Sequence, residues 1–442
     1  MYQKNALFVL NPFSHNEKNK DRSWLFESFG LDSSYLVDLD EERENPKLLL
    51  REIGIGKKII PDKKQLLSFL EQGTDNNPVW EKLIAHLEKE KPVLHIILPL
   101  LDAKHFLQLL IKHLPRKQRI LIHLVIPEIS LEQALQTAEE LQLFVDNYEK
   151  ISFGTLIGEK SIFNQKNNWQ ETQKSYDEIV FDQTQTSFSV VEYLKKQQER
   201  EISPENIAPV SFVEAEPLEN KDIMLILECD SEKIELITQA FEISKNEQKK
   251  SDFSSFPVNF ITKELKNCLI ITVKKPYDSY ENVYLIENEQ HKTLANKLAK
   301  QECRQLHLAD HQHLKLITKY LNNEAEILYD GQKNKVCDPL ITEEGCCVQT
   351  ANETLVKAYK KELENFETFF LAASFSEKED ELLKQLISLS QEKEIWIVIL
   401  DFLERKIRHS TLIWKKGKIS LSEDSQTFLK KTLTKRISQS SK

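Results

Sequence analysis

Apolar residues along the chain fall into two periods. Short runs rich in Leu, Ile, Val and Phe predict strands at ALFVL (6–10), PVLHIILPLL (92–101), RILIHLVIP (119–127), KISFGTLIG (150–158) and DIMLILEC (222–229). The same signal predicts NCLIITVKK (267–275), QLHLA (305–309), FFLAA (369–373) and EIWIVIL (394–400). Several of these runs are apolar at consecutive positions, as strands covered by helices on both faces are. Between them, apolar residues at helical spacing predict helices over 78–90, 103–114, 130–148, 231–242, 291–302 and 378–392. A further helix is predicted near residues 169–180, where Trp169, Tyr176, Ile179 and Val180 share one face. Strands alternating with helices predict α/β layers around mainly parallel sheets. Two polar stretches read as connections: GKKIIPDKK near residue 60, and Lys274 to Glu289 with KKPYDSYENVY.

Composition narrows the picture. A chain of 442 residues has room for two or three domains. Its net charge of −10 opposes a general nucleic-acid binder, because phosphate contacts need clustered Lys and Arg. The basic end KKTLTKRISQSSK reads as a solvated tail. No apolar run reaches the length of a membrane span, and MYQKNALFVLN has no signal-peptide character, so no membrane partner and a cytoplasmic location are expected. The cysteines, Cys229, Cys268, Cys303, Cys337, Cys346 and Cys347, form no CxxC pair and read as reduced thiols. Only nine glycines occur, and Gly54 and Gly56 are the one close pair. Phosphate-cradling loops use glycine to bring backbone N–H groups to the anion, and no GxGxxG, Walker A or GxSxG is present.

The candidate chemistry is sparse. HLADHQH gathers His307, Asp310, His311 and His313. Metal binding is one reading; a strand end running into a helix capped by Asp310 is the other, and is preferred, because no further ligand is identifiable. Cys337, Cys346 and Cys347 allow the same two readings, with loop or core thiols preferred. Asp102 and His105 follow one apolar strand and Asp401 follows another, where α/β enzymes place ligands and helices place caps.

Four blocks carry a resemblance. They are IGIGKKIIPDKKQLLSFLEQGTDNNPVWEKLIAHLEKEKPVLHIILPLLD (53–102), IGEKSIFNQKNNWQETQKSYDEIV (157–180) with its Trp and Tyr-Asp pair, DSEKIELITQAFE (230–242) and HKTLANKLAKQECRQLHLADHQHLKLITKYLN (291–322). In order and spacing they resemble the cofactor-independent phosphoglycerate mutases of the alkaline-phosphatase superfamily. The resemblance implies an alkaline-phosphatase-like α/β domain split in sequence, residues 1–62 and 286–442, with a second, phosphotransferase-like α/β domain inserted at 63–285. In active members two manganese ions and a phosphorylated serine move phosphate between the 2- and 3-positions of glycerate.

Carried over position by position, that chemistry has few counterparts. The first strand is followed by Asn11 and Pro12, not Asp-Gly, and Pro46 falls at the nucleophilic serine. The substrate loop after 92–101 reduces to Asp102-Ala103, and the Gly-Arg-Asp loop after 119–127 to Pro127-Glu128. Glu159 and Gln165 stand for two arginines, Asp230 and Lys233 for two more, and His313 for a lysine. The metal-binding loop after FFLAA is SFSEKED, and Asp-His becomes Asp401-Phe402. Asp401, His409 and Glu379 are the vestigial metal candidates. The expectation is therefore an inactive mutase-like protein, without catalytic residues, metal or cofactor, acting as a binding, regulatory or structural module for a protein partner. Two alternatives stay open: a divergent manganese-dependent mutase or phosphatase using Asp401, His409, Glu379, His311 and His313, and an unrelated α/β binding protein.

Overall fold

The computed structural model describes residues 5–10, 35–38, 46–55, 60–72, 77–163, 168–247, 257, 259–276, 283–286, 293–300, 302–322, 328–341, 347–374, 379–393, 396–403 and 406–412. In chain order its strands are β1 (Asn5–Leu10), β2 (Tyr35–Asp38), β3 (Leu94–Pro99), β4 (Ile120–Ile126), β5 (Ile151–Gly158), β6 (Gln185–Thr186), β7 (Val210–Phe212), β8 (Ile223–Ile226) and β9 (Leu269–Thr272). They continue with β10 (Val283–Tyr284), β11 (Gln305–Ala309), β12 (Gln332–Val336), β13 (Leu340–Ile341), β14 (Cys347–Gln349), β15 (Thr368–Ala373), β16 (Trp396–Leu403) and β17 (Lys406–Leu412). The chain divides into two units, Asp62–Glu289 and Met1–Pro61 with Gln290–Lys442.

The unit Asp62–Glu289 is built on an eight-stranded sheet in the order β10-β9-β8-β3-β4-β5-β7-β6. Its centre is parallel, with Leu94 opposite Ile120 and Ile223, and only β5 and β7 pair antiparallel. Side chains alternate across the sheet because the strand period is two. Leu94, Ile96 and Leu98 pack with Ile120, Ile122 and Leu124 against the helices Pro78–Glu90, Leu100–Leu110, Leu131–Val145 and Val190–Glu199. Ile97, Val125, Met224 and Ile226 face the helices Trp169–Phe181 and Glu235–Lys245. Burial on both faces is what the unbroken apolar runs required.

Local signals set the helix ends. Asn77 accepts from the N–H groups of Val79 and Trp80, each at 3.0 Å, and Pro78 opens the helix it caps. That helix ends at Lys91, in the left-handed region at φ 48°. Ser189 and Glu192 form a reciprocal capping box. The strand predicted through residue 101 stops at Pro99. Pro99 has no N–H for a further sheet bond, and Leu100 begins the next helix directly.

One polar chain crosses the second face. Asp222 lies 3.5 Å from Nε2 of His95, whose Nδ1 is 3.0 Å from Nε2 of His123, and Nδ1 of His123 is 3.0 Å from the Thr155 hydroxyl. Burial, with His95 beside it, holds the His123 imidazole well below its ordinary pKa. Asp222 is held low despite its burial, because His95 and the N–H groups of Glu219 and Val93 stabilise its carboxylate. Gly154 accommodates this network, since a Cβ there would sit 2.9 Å from the His123 ring.

The other unit has a seven-stranded sheet in the order β12-β11-β15-β1-β16-β17-β2. It is parallel from β12 to β16, and β17 pairs antiparallel with both β16 and β2. Leu306, Leu308, Phe369 and Leu371 pack against the helices Ala351–Glu362 and Asp380–Glu392. Val9, Ala309, Phe370 and Ala372 pack with Leu50, Leu294, Leu298, Leu316 and Ile317 on the other face.

Candidate functional site

Parallel strands bring their carboxyl ends to one edge, where α/β proteins bind ligands. In the unit Asp62–Glu289 that edge receives Asp102 after β3, Glu159 after β5, Glu228 to Lys233 after β8 and Lys274 after β9. Its charges meet one another. Lys233 Nζ lies 2.5 Å from Glu159 Oε1, Lys274 Nζ 2.6 Å from Asp62 Oδ1, and Lys63 Nζ 2.6 Å from Asp102 Oδ1. Lys274 is 1 % exposed, so the second pair is almost out of water.

Around Lys233 the balance is acidic. Glu228 is half-buried and accepts the Asp230 N–H at 2.9 Å; desolvation raises its carboxyl pKa, against the pull of Lys233. Burial alone would lower Lys233, yet Glu228 and Glu159 outweigh it and hold the ammonium above its usual range. Burial also pushes up the Cys229 thiol, reinforced by Glu228 and Asp62, so this cysteine is an inert thiol. Asp62, Asp102, Glu159, Glu228 and Asp230 thus face Lys63, Lys233 and Lys274. Every one of these lysines already serves a carboxylate.

The backbone before Glu159 is fixed. A Cβ on Gly158 would meet the Glu205 carbonyl oxygen at 2.5 Å and the Ile207 backbone at 2.7 Å, so only glycine fits. The helix Trp169–Phe181 is held by packing. Trp169 meets Phe260 edge-to-face at 5.5 Å, and the Tyr176 hydroxyl lies 2.5 Å from Ser244 Oγ and accepts the Lys263 N–H at 3.0 Å. Burial raises the Tyr176 phenol, so it stays neutral. Ile179 and Val180 are buried with it, as the helical spacing predicted. Gln165 lies outside the described residues.

The histidines of HLADHQH separate. His307 is fully buried on β11, with Nδ1 3.0 Å from the Ile317 carbonyl and its ring 4.6 Å from that of Phe370. Burial lowers its pKa to about 3, so it is a neutral core residue. His311 is exposed and pairs with Asp338 at 2.5 Å. Asp310 caps the following turn, accepting the His313 N–H at 2.9 Å. His105 lies on the exposed face of the helix that carries Asp102. Glu379 is half-buried ahead of the helix Asp380–Glu392. Asp401 lies opposite Leu10 and Arg408, and His409 opposite Leu400 and Tyr35. Cys337 is buried and its thiol is pushed up to about 11. Cys347 lies in β14, and Cys346 falls outside the described residues.

Sequence reasoning missed Asp62, Lys63 and Lys274, which were read as parts of polar connections. Lys274 follows an apolar strand without interruption, and that was the available signal of burial.

Residues 70–273 match the family model of the BPG-independent PGAM N-terminus. A 2,3-bisphosphoglycerate-independent phosphoglycerate mutase of Sulfurimonas denitrificans is 22 % identical over 289 residues, 63 % of this chain and 55 % of that protein. The chain is related to the cofactor-independent phosphoglycerate mutases. The match thus spans little more than half the length of that relative. The crystal structure of Leishmania mexicana phosphoglycerate mutase at low cobalt concentration superposes with a TM-score of 0.71, covering 96 % of this chain and 86 % of that one. At 12 % identity that likeness establishes the fold alone.

Among the described residues no three His, Cys, Asp or Glu side chains converge as ligands. Among the described residues, too, no helix is long and apolar enough to cross a membrane.

Proposed function

We propose that this chain is a catalytically inactive mutase-like protein, a binding, regulatory or structural module. The carrying observation is the Lys233–Glu159 pair. By resemblance both positions belong to arginines that hold a phosphorylated substrate, and here they neutralise each other at 2.5 Å. A phosphate ester needs fixed, unspent positive charge, best supplied by bidentate arginine. An anion arriving at this edge would instead face Glu159, Glu228 and Asp230. Loss of a nucleophile alone costs on the order of a million-fold in rate, and Pro46 stands where the mutase serine would be.

The partner we propose is a protein. A cleft of about 380 Å³ is lined by Tyr148, Phe153, Phe188 and Phe212, with Asp146 and Glu214 on its polar wall. Aromatic faces beside carboxylates suit lysine or arginine side chains of such a partner. The test is calorimetric titration of the full chain with 3-phosphoglycerate, together with elemental analysis after a manganese soak. Absence of saturable binding and of stoichiometric metal is expected. Tight manganese with substrate binding would assign a rebuilt mutase site instead.

A further inference from the structure

The carboxyl edge of the seven-stranded sheet holds a second constellation, separate from the Lys233–Glu159 pair. Ser374 directly follows β15, and Asp310 directly follows β11, the strand beside it. His313 lies between them. Its Nδ1 is 2.7 Å from Asp310 Oδ1 and its Nε2 is 3.1 Å from Ser374 Oγ. An ionised carboxylate only accepts hydrogen bonds, so Nδ1 carries the proton and donates to Asp310. Nε2 then presents its lone pair to the Ser374 hydroxyl. The His313 side chain is 5 % exposed, whereas Ser374 is exposed to solvent. The base is thus held and the nucleophile is accessible.

Two details extend this beyond a satisfied histidine. Asp310 Oδ1 also accepts the His313 backbone N–H at 2.9 Å, which fixes the carboxylate against the ring it orients. The Asn352 side-chain amide donates to the Ser374 carbonyl at 2.9 Å. Asn352 lies in the first turn of the twelve-residue helix Ala351–Glu362, so the positive end of that helix is beside the serine. The helix dipole favours negative charge developing on a substrate oxygen there, although a Thr350–Glu353 capping box already takes up the Glu353 N–H.

We propose that Ser374, His313 and Asp310 form an activated serine site that is acylated by short-chain, uncharged carboxylic esters. Ser374 Oγ attacks the acyl carbon as its proton passes to Nε2 of His313. The ester C–O bond breaks and the alcohol leaves with that proton. Water, deprotonated by the same nitrogen, then cleaves the acyl-serine and restores the hydroxyl. Asp310 is a positioning residue. The carboxylates of Asp310 and Asp338, the latter paired with the neighbouring His311, disfavour anionic substrates. The arrangement goes beyond the inactive-mutase reading, because it uses neither the mutase nucleophile position nor a metal.

The test is labelling of the full chain with a fluorophosphonate, which forms a Ser Oγ–P bond and expels fluoride. Peptide mass spectrometry locates the label, and p-nitrophenyl acetate hydrolysis is measured alongside. The expected label is on Ser374, absent in Ser374→Ala, and slowed on the order of a hundred-fold in His313→Gln. Asp310→Asn keeps a competent helix cap, so it separates folding from chemistry. It is expected to slow labelling at least as strongly and to abolish the low-field imidazole N–H proton resonance of the unaltered chain. No label on Ser374, or equal labelling in the natural chain and Asp310→Asn, overturns the proposal.

Discussion

The buried Lys274–Asp62 pair is the most exposed point of this account to experiment. Lys274→Met keeps the aliphatic stem and removes the ammonium. The Asp62 side chain is only 12 % exposed, and Cys229 lies in the same electrostatic neighbourhood. Removing one partner of such a pair leaves an uncompensated charge and costs about 3–5 kcal/mol. Asp62 also sits in the first turn of the helix Asp62–Gln72, whose positive end favours a carboxylate by up to about 1 kcal/mol. The double variant Asp62→Leu with Lys274→Met is therefore expected to lie within about 1–2 kcal/mol of the natural chain, far closer than Lys274→Met alone. Urea unfolding followed by fluorescence of Trp80 and Trp169 measures both. The single change is expected to lower the midpoint by about 1–2 M. A single variant costing under about 1 kcal/mol, or a double variant as unstable as the single, would refute the claim that this pair is desolvated and mutually dependent.

Acid should destabilise the chain through its buried imidazoles. The folded pKa of His307 is depressed from 6.5 to about 3, and that of His123 lies well below 6.5, so their contribution is fully present above pH 6.5 and is lost as pH falls toward 3. At pH 4 His307 alone accounts for about 3 kcal/mol. Thermal unfolding across pH 7 to 4 should slope less in His307→Leu, and an unchanged slope would contradict the burial assignment. Gly158→Ala drives a Cβ into the backbone of Glu205 and Ile207, so it is expected to cost about 3 kcal/mol, more than Gly154→Ala against the His123 ring. Equal, small losses in denaturant titrations would mean that the Glu205 turn yields freely.

Every strand read from an apolar run is present; β4, β5 and β8 are buried at every position, and strands covered on both faces must be apolar to fold. What escaped was structure defined by a partner rather than by its own side chains. β12 is QKNKV, with Lys333 and Asn334 exposed; it forms because the edge of β11 offers hydrogen bonds. The VSF of β7 is too short to carry a period. The helix of Trp169 and Tyr176 was legible because its stripe repeats at helical spacing. Its neighbour across the site, the Lys233–Glu159 pair, was not, since charged residues from distant segments carry no mark of which will meet. Lys274 shows the same limit, as its burial follows from Asp62 at the far end of the unit's sequence. Asp310 as a helix cap was legible from the strand-to-helix change. Its contact through His313 with Ser374 required the register of β11 against β15.

The central claim is that a mutase fold here carries no mutase chemistry. Its most direct test is the conversion of 3-phosphoglycerate to 2-phosphoglycerate by the purified full chain with added manganese, followed by phosphorus NMR. The account predicts no conversion above that of a heat-denatured sample. Sustained turnover that disappears in Asp401→Asn would contradict it.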